Sequence, residues 1–410
     1  MVEWMIDTFT KYQAFVGESN RLRPITTGIL VLWTLFFSCA DRNPAGKNQE
    51  TDETWYLLPA QLDDGWEVAR LSDAGLDPDR IGQMIMEIEG WESNRFNSIL
   101  IVKDGKLTLE KYYPGHLFDF NIPGLTQTPM QYDAQTRHFL ASQSKSITSL
   151  LFGIALDQGL VNSVDEYIKT CFDSYSGLFQ EGKELITIRH LLTMSSGLPW
   201  NESIPGTDDV YTLFRVADPI SYLLSKPLDA PPGQVFHYNS GGTNLLGEIV
   251  HLTSEMNLRQ FAAAHLFAPL GITSYDWKTI RGEVIFASGG LFLKPRDLAK
   301  IGQLCLAGGE WNGKPLVSKA WLDESTRSWI FPTELGLGNG YGYQWWLNDF
   351  TVGSKKYHAY FAAGWGEQLM YIFPEVNMVV LFFGEYYTTA PQRSIQTLIR
   401  EYILPSIIQK

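Results

Sequence analysis

Apolar side chains recur at spacings of three and four along Ile81, Met84, Ile85 and Ile88, the period of a helix that buries one face. Asp77-Pro78-Asp79 precedes them, an acidic N-cap with proline in the first turn. The pattern then shortens. Ser98-Ile99-Leu100-Ile101-Val102 and Lys106-Leu107-Thr108-Leu109-Glu110 flank Lys103-Asp104-Gly105, and Asp-Gly between two such runs predicts a hairpin, because a type I′ turn needs positive φ at both central positions. A second hairpin is predicted from Leu369 to Phe373 and Met378 to Phe383, joined by Pro374-Glu375-Val376-Asn377. Arg393 to Ile407 reads as a closing amphipathic helix, interrupted late by Pro405.

The middle of the chain is mostly helical in pattern. Gln143 to Gln158 is one predicted helix, with Ile147, Leu150, Leu151 and Ile154 on a face; Ile186 to Leu192 starts a shorter one that stops at Ser195-Ser196-Gly197. Further helices are predicted over Gly242 to Thr253, Leu258 to Phe267 and Lys294 to Leu306, and Ala287 to Leu291 is expected to return to the sheet. With strand pairs at both ends, the economical arrangement is α/β in the α+β sense: one antiparallel sheet flanked by helices, with a helical lobe inserted. The catalytic-size domain is placed at 70–410, its sheet lobe at about 70–135 and 286–410 and its helical lobe at about 136–285.

The segment before it is different. Ile25 to Phe37 is a 13-residue stretch broken only by Thr and Gly, preceded by Arg21 and Arg23 and followed by Ser38-Cys39. A spanning helix needs about 20 residues, so residues 1–39 read as a bacterial lipoprotein signal that leaves Cys39 as a lipidated N-terminus. The expectation is a periplasmic or cell-envelope protein, anchored to the membrane through Cys39. The alternative is a buried helix of the fold. Residues 40–69 are a polar tether and lead-in.

Composition narrows the function. The 410 residues are 45% hydrophobic and 13% aromatic, which excludes disordered and fibrous classes. The formal charge of -13 argues against nucleic acid as a partner, since that needs a basic footprint. Three cysteines (Cys39, Cys171, Cys305) make neither a disulfide framework nor a C-x-x-C zinc pair, and the seven histidines include no i, i+4 ligand pair. Gly308 to Lys314 spells G-x-x-x-x-G-K, but Pro315 stands where a phosphate loop needs a hydroxyl. Neither H-E-x-x-H, G-x-S-x-G nor G-x-G-x-x-G occurs.

Ser142-Gln143-Ser144-Lys145 survives this screen. Ser142 falls at the mouth of the predicted helix and Lys145 one turn on, so their side chains share a face. A lysine buried there loses basicity by desolvation and can take the serine proton. The Ser142 N–H at a helix start would face an oxyanion formed on that serine. On spacing alone an N-cap serine beside a solvated lysine is the favoured reading.

Ala141-Ser142-Gln143-Ser144-Lys145-Ser146-Ile147-Thr148-Ser149-Leu150-Leu151 resembles the active-site helix of the serine β-lactamase-like superfamily, which includes class C β-lactamases, D,D-peptidases, family VIII esterases and 6-aminohexanoate-dimer hydrolase-like enzymes. Four later segments resemble the family in its order: Thr187 to Leu198, Phe236-His237-Tyr238-Asn239-Ser240 with Leu245-Leu246-Gly247, Gly289-Gly290-Leu291 with Arg296-Asp297-Leu298, and Ala363-Gly364-Trp365-Gly366-Glu367-Gln368. The resemblance implies a β-lactamase/transpeptidase-like fold, Ser142 as acylated nucleophile, Lys145 as its base and Tyr238 as a second proton carrier, with no metal and no organic cofactor.

Two departures from the family pattern matter. Class C enzymes read Tyr-x-Asn where this chain reads Tyr238-Asn239-Ser240, which resembles the 6-aminohexanoate-dimer hydrolase-like branch and points to Ser240, not Asn239, as the second-motif polar group. Lys-Thr-Gly is replaced by Ala362-Ala363-Gly364. The resemblance then leaves Ala363, Gly364 and Gly366 on the third-motif strand, with the N–H groups of Ser142 and Trp365 as oxyanion hole. Loss of the charged contact should cost a carboxylate substrate about 1.5 to 3 kcal/mol. The expected substrate is therefore a small neutral ester or amide, with Trp365, Trp200 and Tyr360 as an apolar rim or as core. The alternatives are a D,D-peptidase or D-aminopeptidase acting on cell-wall peptides, or a non-catalytic binding or sensor protein. Substrate choice is expected in the loops Trp200 to Asp209 and Phe331 to Gly342.

Overall fold

In the computed structural model, which describes residues 55–120, 124–202 and 208–408, Asp104 and Gly105 take φ of 52° and 77°. That is the turn geometry expected of the pair, and it joins strands Phe96–Lys103 and Lys106–Tyr112. Gln368–Phe373 and Met378–Gly384 form the second hairpin, with Asn377 at φ 47°. Met378–Gly384 then pairs with Phe96–Lys103, so the two chain ends build one sheet. The pattern from Arg21 to Cys39, and the tether up to Thr54, lie outside the described residues.

The sheet has eight strands, in the order Glu67–Val68, Lys106–Tyr112, Phe96–Lys103, Met378–Gly384, Gln368–Phe373, Lys355–Gly364, Trp346–Val352 and Gly340–Tyr341. It is antiparallel except at its first edge, where Glu67–Val68 runs parallel to Lys106–Leu107. Both faces are covered. Ile99, Ile101, Phe361, Val380 and Phe382 point into a core shared with helix Pro78–Glu89 and the C-terminal helical run. Leu100, Val102, Tyr360, Ala362, Val379 and Leu381 point into the core shared with helix Pro295–Leu306 and the helical lobe. Alternate residues thus enter different cores, which is why these strands read as unbroken apolar runs.

Helix Pro78–Glu89 starts at Asp77, whose side chain accepts from the N–H of Asp79 and Arg80. The C-terminal helix differs from expectation: it begins at Ile395, widens to a π-helix over Ile399–Ile403 and tightens to a 3-10 turn at Leu404–Ser406. Pro405 offers no N–H, so the regular ladder cannot continue through it. Leu291–Leu293 does not join the large sheet. It lies between His138–Phe139 and Tyr275–Trp277 in a separate three-stranded sheet, because the inner strands of the large sheet are already paired on both sides. Gly308 to Lys314 spans the tight hairpin Glu310–Trp311/Lys314–Pro315, which has no phosphate-loop geometry. Cys171 and Cys305 are free thiols.

Gln344 joins the two lobes. Its amide nitrogen donates to the carbonyls of Leu191 and Leu192, its amide oxygen accepts from Thr243, and its own carbonyl accepts from Ser146 at 2.7 Å. A buried amide with all these partners fixes one arrangement of the helices around the site.

Candidate active site

Ser142 sits in a 3-10 turn, Ala141–Gln143, that runs into helix Ser144–Asp157. Ala141 is left-handed at φ 46°, a conformation that costs a non-glycine residue on the order of 1 kcal/mol or more. Its neighbours hold it there. The small sheet fixes the chain at Leu140, whose N–H donates to Leu291 at 2.9 Å, and the Ser144 hydroxyl donates to the Ala141 carbonyl at 2.7 Å. The helix is buried from Ser144 to Ala155 on every side, not only on the face of Ile147 and Leu150. Its polar side chains need internal partners as a result: Ser146 donates to Gln344 and Thr148 to Ala287.

Lys145 is 2% exposed, and its Nζ donates to Ser142 Oγ at 2.9 Å and to the Ser288 carbonyl at 3.0 Å. Burial pulls its pKa down to about 8, and the nearby Glu202 carboxylate works in the opposite direction. Tyr238 hydrogen-bonds through its phenol to the Ser142 side chain, and burial, with Glu202 adding to it, pushes that phenol well above its ordinary pKa. The Lys145 ammonium lies 4.8 Å from the centre of the Tyr238 ring, which stacks on Trp346 at 6.1 Å. One group is thus drawn toward neutrality and its neighbour is held protonated, on either side of one hydroxyl.

Gly364 ends strand Lys355–Gly364 and runs so close to the Leu140–Ser142 turn that no side chain fits there. Trp365, Gly366 and Glu367 turn the chain into Gln368, with Gly366 at φ 86°. Asn239 faces away from the chemistry. It is the N-cap of helix Ser240–Ser254, accepting from Gly242 N–H at 2.9 Å and donating to the Leu198 carbonyl at 3.0 Å. Ser240 opens that helix in place of continuing an extended strand, and its N–H donates to Glu202 at 3.3 Å.

Of the three aromatic residues considered as a rim, Trp365 lines the cavity beside Ser142. Tyr360 is core, edge-on to Trp345. Trp200 is also buried, and its indole holds Glu202 at 2.6 Å. Glu202 and Asn244 went unmarked by sequence reasoning. Asn244 accepts from the Ser288 N–H at 3.1 Å and so fixes the carbonyl that holds Lys145. Among the described residues no cluster of His, Cys, Asp or Glu could hold a metal ion.

A cavity of about 410 Å³ opens beside Ser142 and Tyr238. Leu335, Leu337, Trp346, Phe361, Leu369 and Ile395 give it an apolar wall, and Arg393 and Arg400 stand on the C-terminal side. Arg393 is committed to Glu87 and Glu401, whereas among the described residues Arg400 makes one ion pair, with Glu401 at 3.6 Å.

The family model described as Beta-lactamase matches residues 97–401, a span that includes Ser142, Lys145, Tyr238 and the residues named on the cavity wall. The chain belongs to the Beta-lactamase family. It is 26% identical over 323 residues to Beta-lactamase-like protein 4 of Dictyostelium discoideum, covering 70% of this chain and 54% of that one. It is 26% identical over 242 residues to the 6-aminohexanoate-dimer hydrolase of Paenarthrobacter ureafaciens, covering 53% of this chain and 59% of that one. The match therefore spans little more than half the length of these two relatives. A family VIII carboxylesterase shares the fold with a TM-score of 0.62 at 14% identity, over 80% of this chain and 98% of that one. A penicillin-binding protein homologue from Caulobacter crescentus does so with a TM-score of 0.57 at 17% identity, over 76% and 93% of the two chains.

Proposed function

We propose that this protein cleaves a small neutral ester or amide through an acyl-enzyme on Ser142, in the manner of an esterase or amidase. The observation that carries this reading is the 2.9 Å contact between Lys145 Nζ and Ser142 Oγ, inside a site where burial brings the lysine to about 8. Neutral Lys145 accepts the Ser142 proton as Oγ attacks the substrate carbonyl carbon. The oxyanion that forms is held by the N–H groups of Ser142 and Trp365. Tyr238, held protonated, delivers a proton to the departing alcohol or amine as the bond to the acyl carbon breaks, and is reprotonated from Lys145. Water then enters by the same groups and releases the acid. The pattern from Arg21 to Cys39 supports action in the cell envelope.

The apolar wall of the cavity supports an uncharged group on the substrate. Ala362 and Ala363 offer no charge where a Lys-Thr-Gly sequence would, and Ala362 is fully buried in the core of the helical-lobe side. Arg400 on the cavity wall favours a second reading, a D,D-peptidase or D-aminopeptidase whose substrate ends in a carboxylate.

The test has two parts. A fluorophosphonate probe should label the folded protein and fail to label Ser142→Ala; an unlabelled wild type would sink the mechanism. Nitrocefin, p-nitrophenyl butyrate and a D-Ala-D-Ala peptide then separate the substrates. Fast turnover of the ester alone supports the first reading, and turnover of the peptide the second.

A further inference from the structure

Three consecutive N–H groups carry the second motif, and each has a different kind of acceptor. His237 N–H donates to the Met194 carbonyl at 2.8 Å and Asn239 N–H to the Met194 sulfur at 3.0 Å. Both partners belong to one turn of the helical lobe, where Met194 is left-handed at φ 56°. The middle N–H, that of Tyr238, turns the other way and donates to Glu334 Oε2 at 3.1 Å. A half-buried N–H needs such a partner, and the helical lobe does not provide it.

Glu334 comes from the opposite side of the site, immediately before Leu335, Gly336 and Leu337 on the cavity wall. Its other oxygen, Oε1, is 2.8 Å from His237 Nδ1. The far nitrogen of that ring, Nε2, is 2.8 Å from the Trp200 carbonyl. Nε2 is also 3.1 Å from the Trp200 N–H, so it donates to the Trp200 carbonyl when the ring is protonated and accepts from that N–H when it carries no proton; the Glu334 hydrogen bond raises the His237 pKa against the effect of burial. Trp200 in turn holds Glu202 through its indole.

We propose that Glu334, locked by His237, is a positioning residue for Tyr238: it fixes the backbone that aims the phenol at Ser142 and ties that aim to the cavity wall. The inference rests on the reading of Tyr238 as the proton carrier. The carboxylate touches neither Ser142 nor Lys145, so its effect must pass through Tyr238. A misplaced phenol hinders the step in which the leaving group needs a proton. It matters much less when the leaving group departs as a stable anion.

The experiment compares ethyl butyrate with p-nitrophenyl butyrate, which share an acyl group and differ in their need for a proton. In Glu334→Ala, kcat on the ethyl ester should fall about tenfold or more beyond its fall on the nitrophenyl ester. Against a Tyr238→Phe background the same change should cost little more, because the two residues act as one unit. Equal losses on both esters, or losses that multiply in the double variant, would overturn the proposal. Should Glu334→Ala fail to fold, Glu334→Gln and His237→Asn are read by the same two criteria. Failure of fluorophosphonate labelling in the wild type would instead remove the mechanism itself, whereas labelling with parallel losses removes only the positioning role.

Discussion

A Cβ placed on Gly364 would stand 3.1 Å from the amide nitrogen of Ser142 and 2.3 Å from the carbonyl oxygen of Leu140. The strand can approach the serine turn only as bare backbone, and the peptide that follows, that of Trp365, is the proposed partner of the Ser142 N–H in the oxyanion hole. Gly364→Ala must therefore move the strand away from the turn. An oxyanion donor displaced in this way costs about 100-fold to 1,000-fold in rate. The expected outcome is a fluorophosphonate labelling rate at least about 100-fold lower, with circular dichroism showing a folded protein. Labelling near the wild-type rate would mean that the oxyanion is held elsewhere.

As the proposed base, Lys145 must act as the free amine. With its pKa drawn down to about 8 by burial, the rate should rise with pH and level off above that value. Glu202 favours the ammonium form, so replacing it with an uncharged side chain should lower the Lys145 pKa further. In Glu202→Gln the rising limb of the kcat/KM profile is expected at lower pH than in the wild type. A limb that stays in place would mean that Lys145 does not sense this carboxylate. Lys145→Ala should lose acylation altogether; retention of activity within about tenfold, a barrier change of about 1.4 kcal/mol, would rule out the lysine as base.

Asn239 is expected to matter to stability and not to chemistry. Its side chain caps helix Ser240–Ser254 and donates to Leu198. Loss of an Asn cap costs about 0.5–2 kcal/mol. Asn239→Ala should lower the unfolding free energy measured in urea by that amount, while the pH profile of turnover keeps its shape. A changed pH profile would return Asn239 to the chemical machinery and undo the assignment of this motif to the Tyr-x-Ser form.

What could be read from the sequence was local. The Asp104-Gly105 turn, the helix from Pro295 to Leu306 and the serine–lysine spacing each depend on residues a few positions apart, and each is present. The helix predicted from Gly242 already begins at Ser240, capped by Asn239. Long-range partners were out of reach. Glu334 meets Tyr238 across 96 residues of chain, and Glu202 takes part only because Trp200 and Ser240 hold its carboxylate. No periodicity marks an acidic residue in a loop as a neighbour of Lys145. Tyr360 looked like a rim aromatic for the opposite reason, since one-residue parity along a strand decides whether a ring faces a core or a cavity. Phe361, its neighbour, is the one that lines the cavity.

The cavity wall makes the last prediction. Leu337 lies on a loop between Gly336 and Gly338, partly buried against the core beneath the sheet, and a larger side chain can extend from it into the space of about 410 Å³ beside Tyr238. If Tyr238 protonates the leaving group as proposed, the alcohol or amine half of the substrate should occupy this space. Leu337→Trp reduces the room for that half and leaves the Ser142–Lys145 contact untouched. The ratio of kcat/KM for a bulky alcohol ester, such as benzyl acetate, to that for methyl acetate should fall by about tenfold, within the range of discrimination an apolar pocket can give. A series that varies the acyl chain with a fixed alcohol should show no comparable change. If acyl length becomes the sensitive variable instead, the cavity holds the acyl group, and the proton path through Tyr238 must run in the other direction.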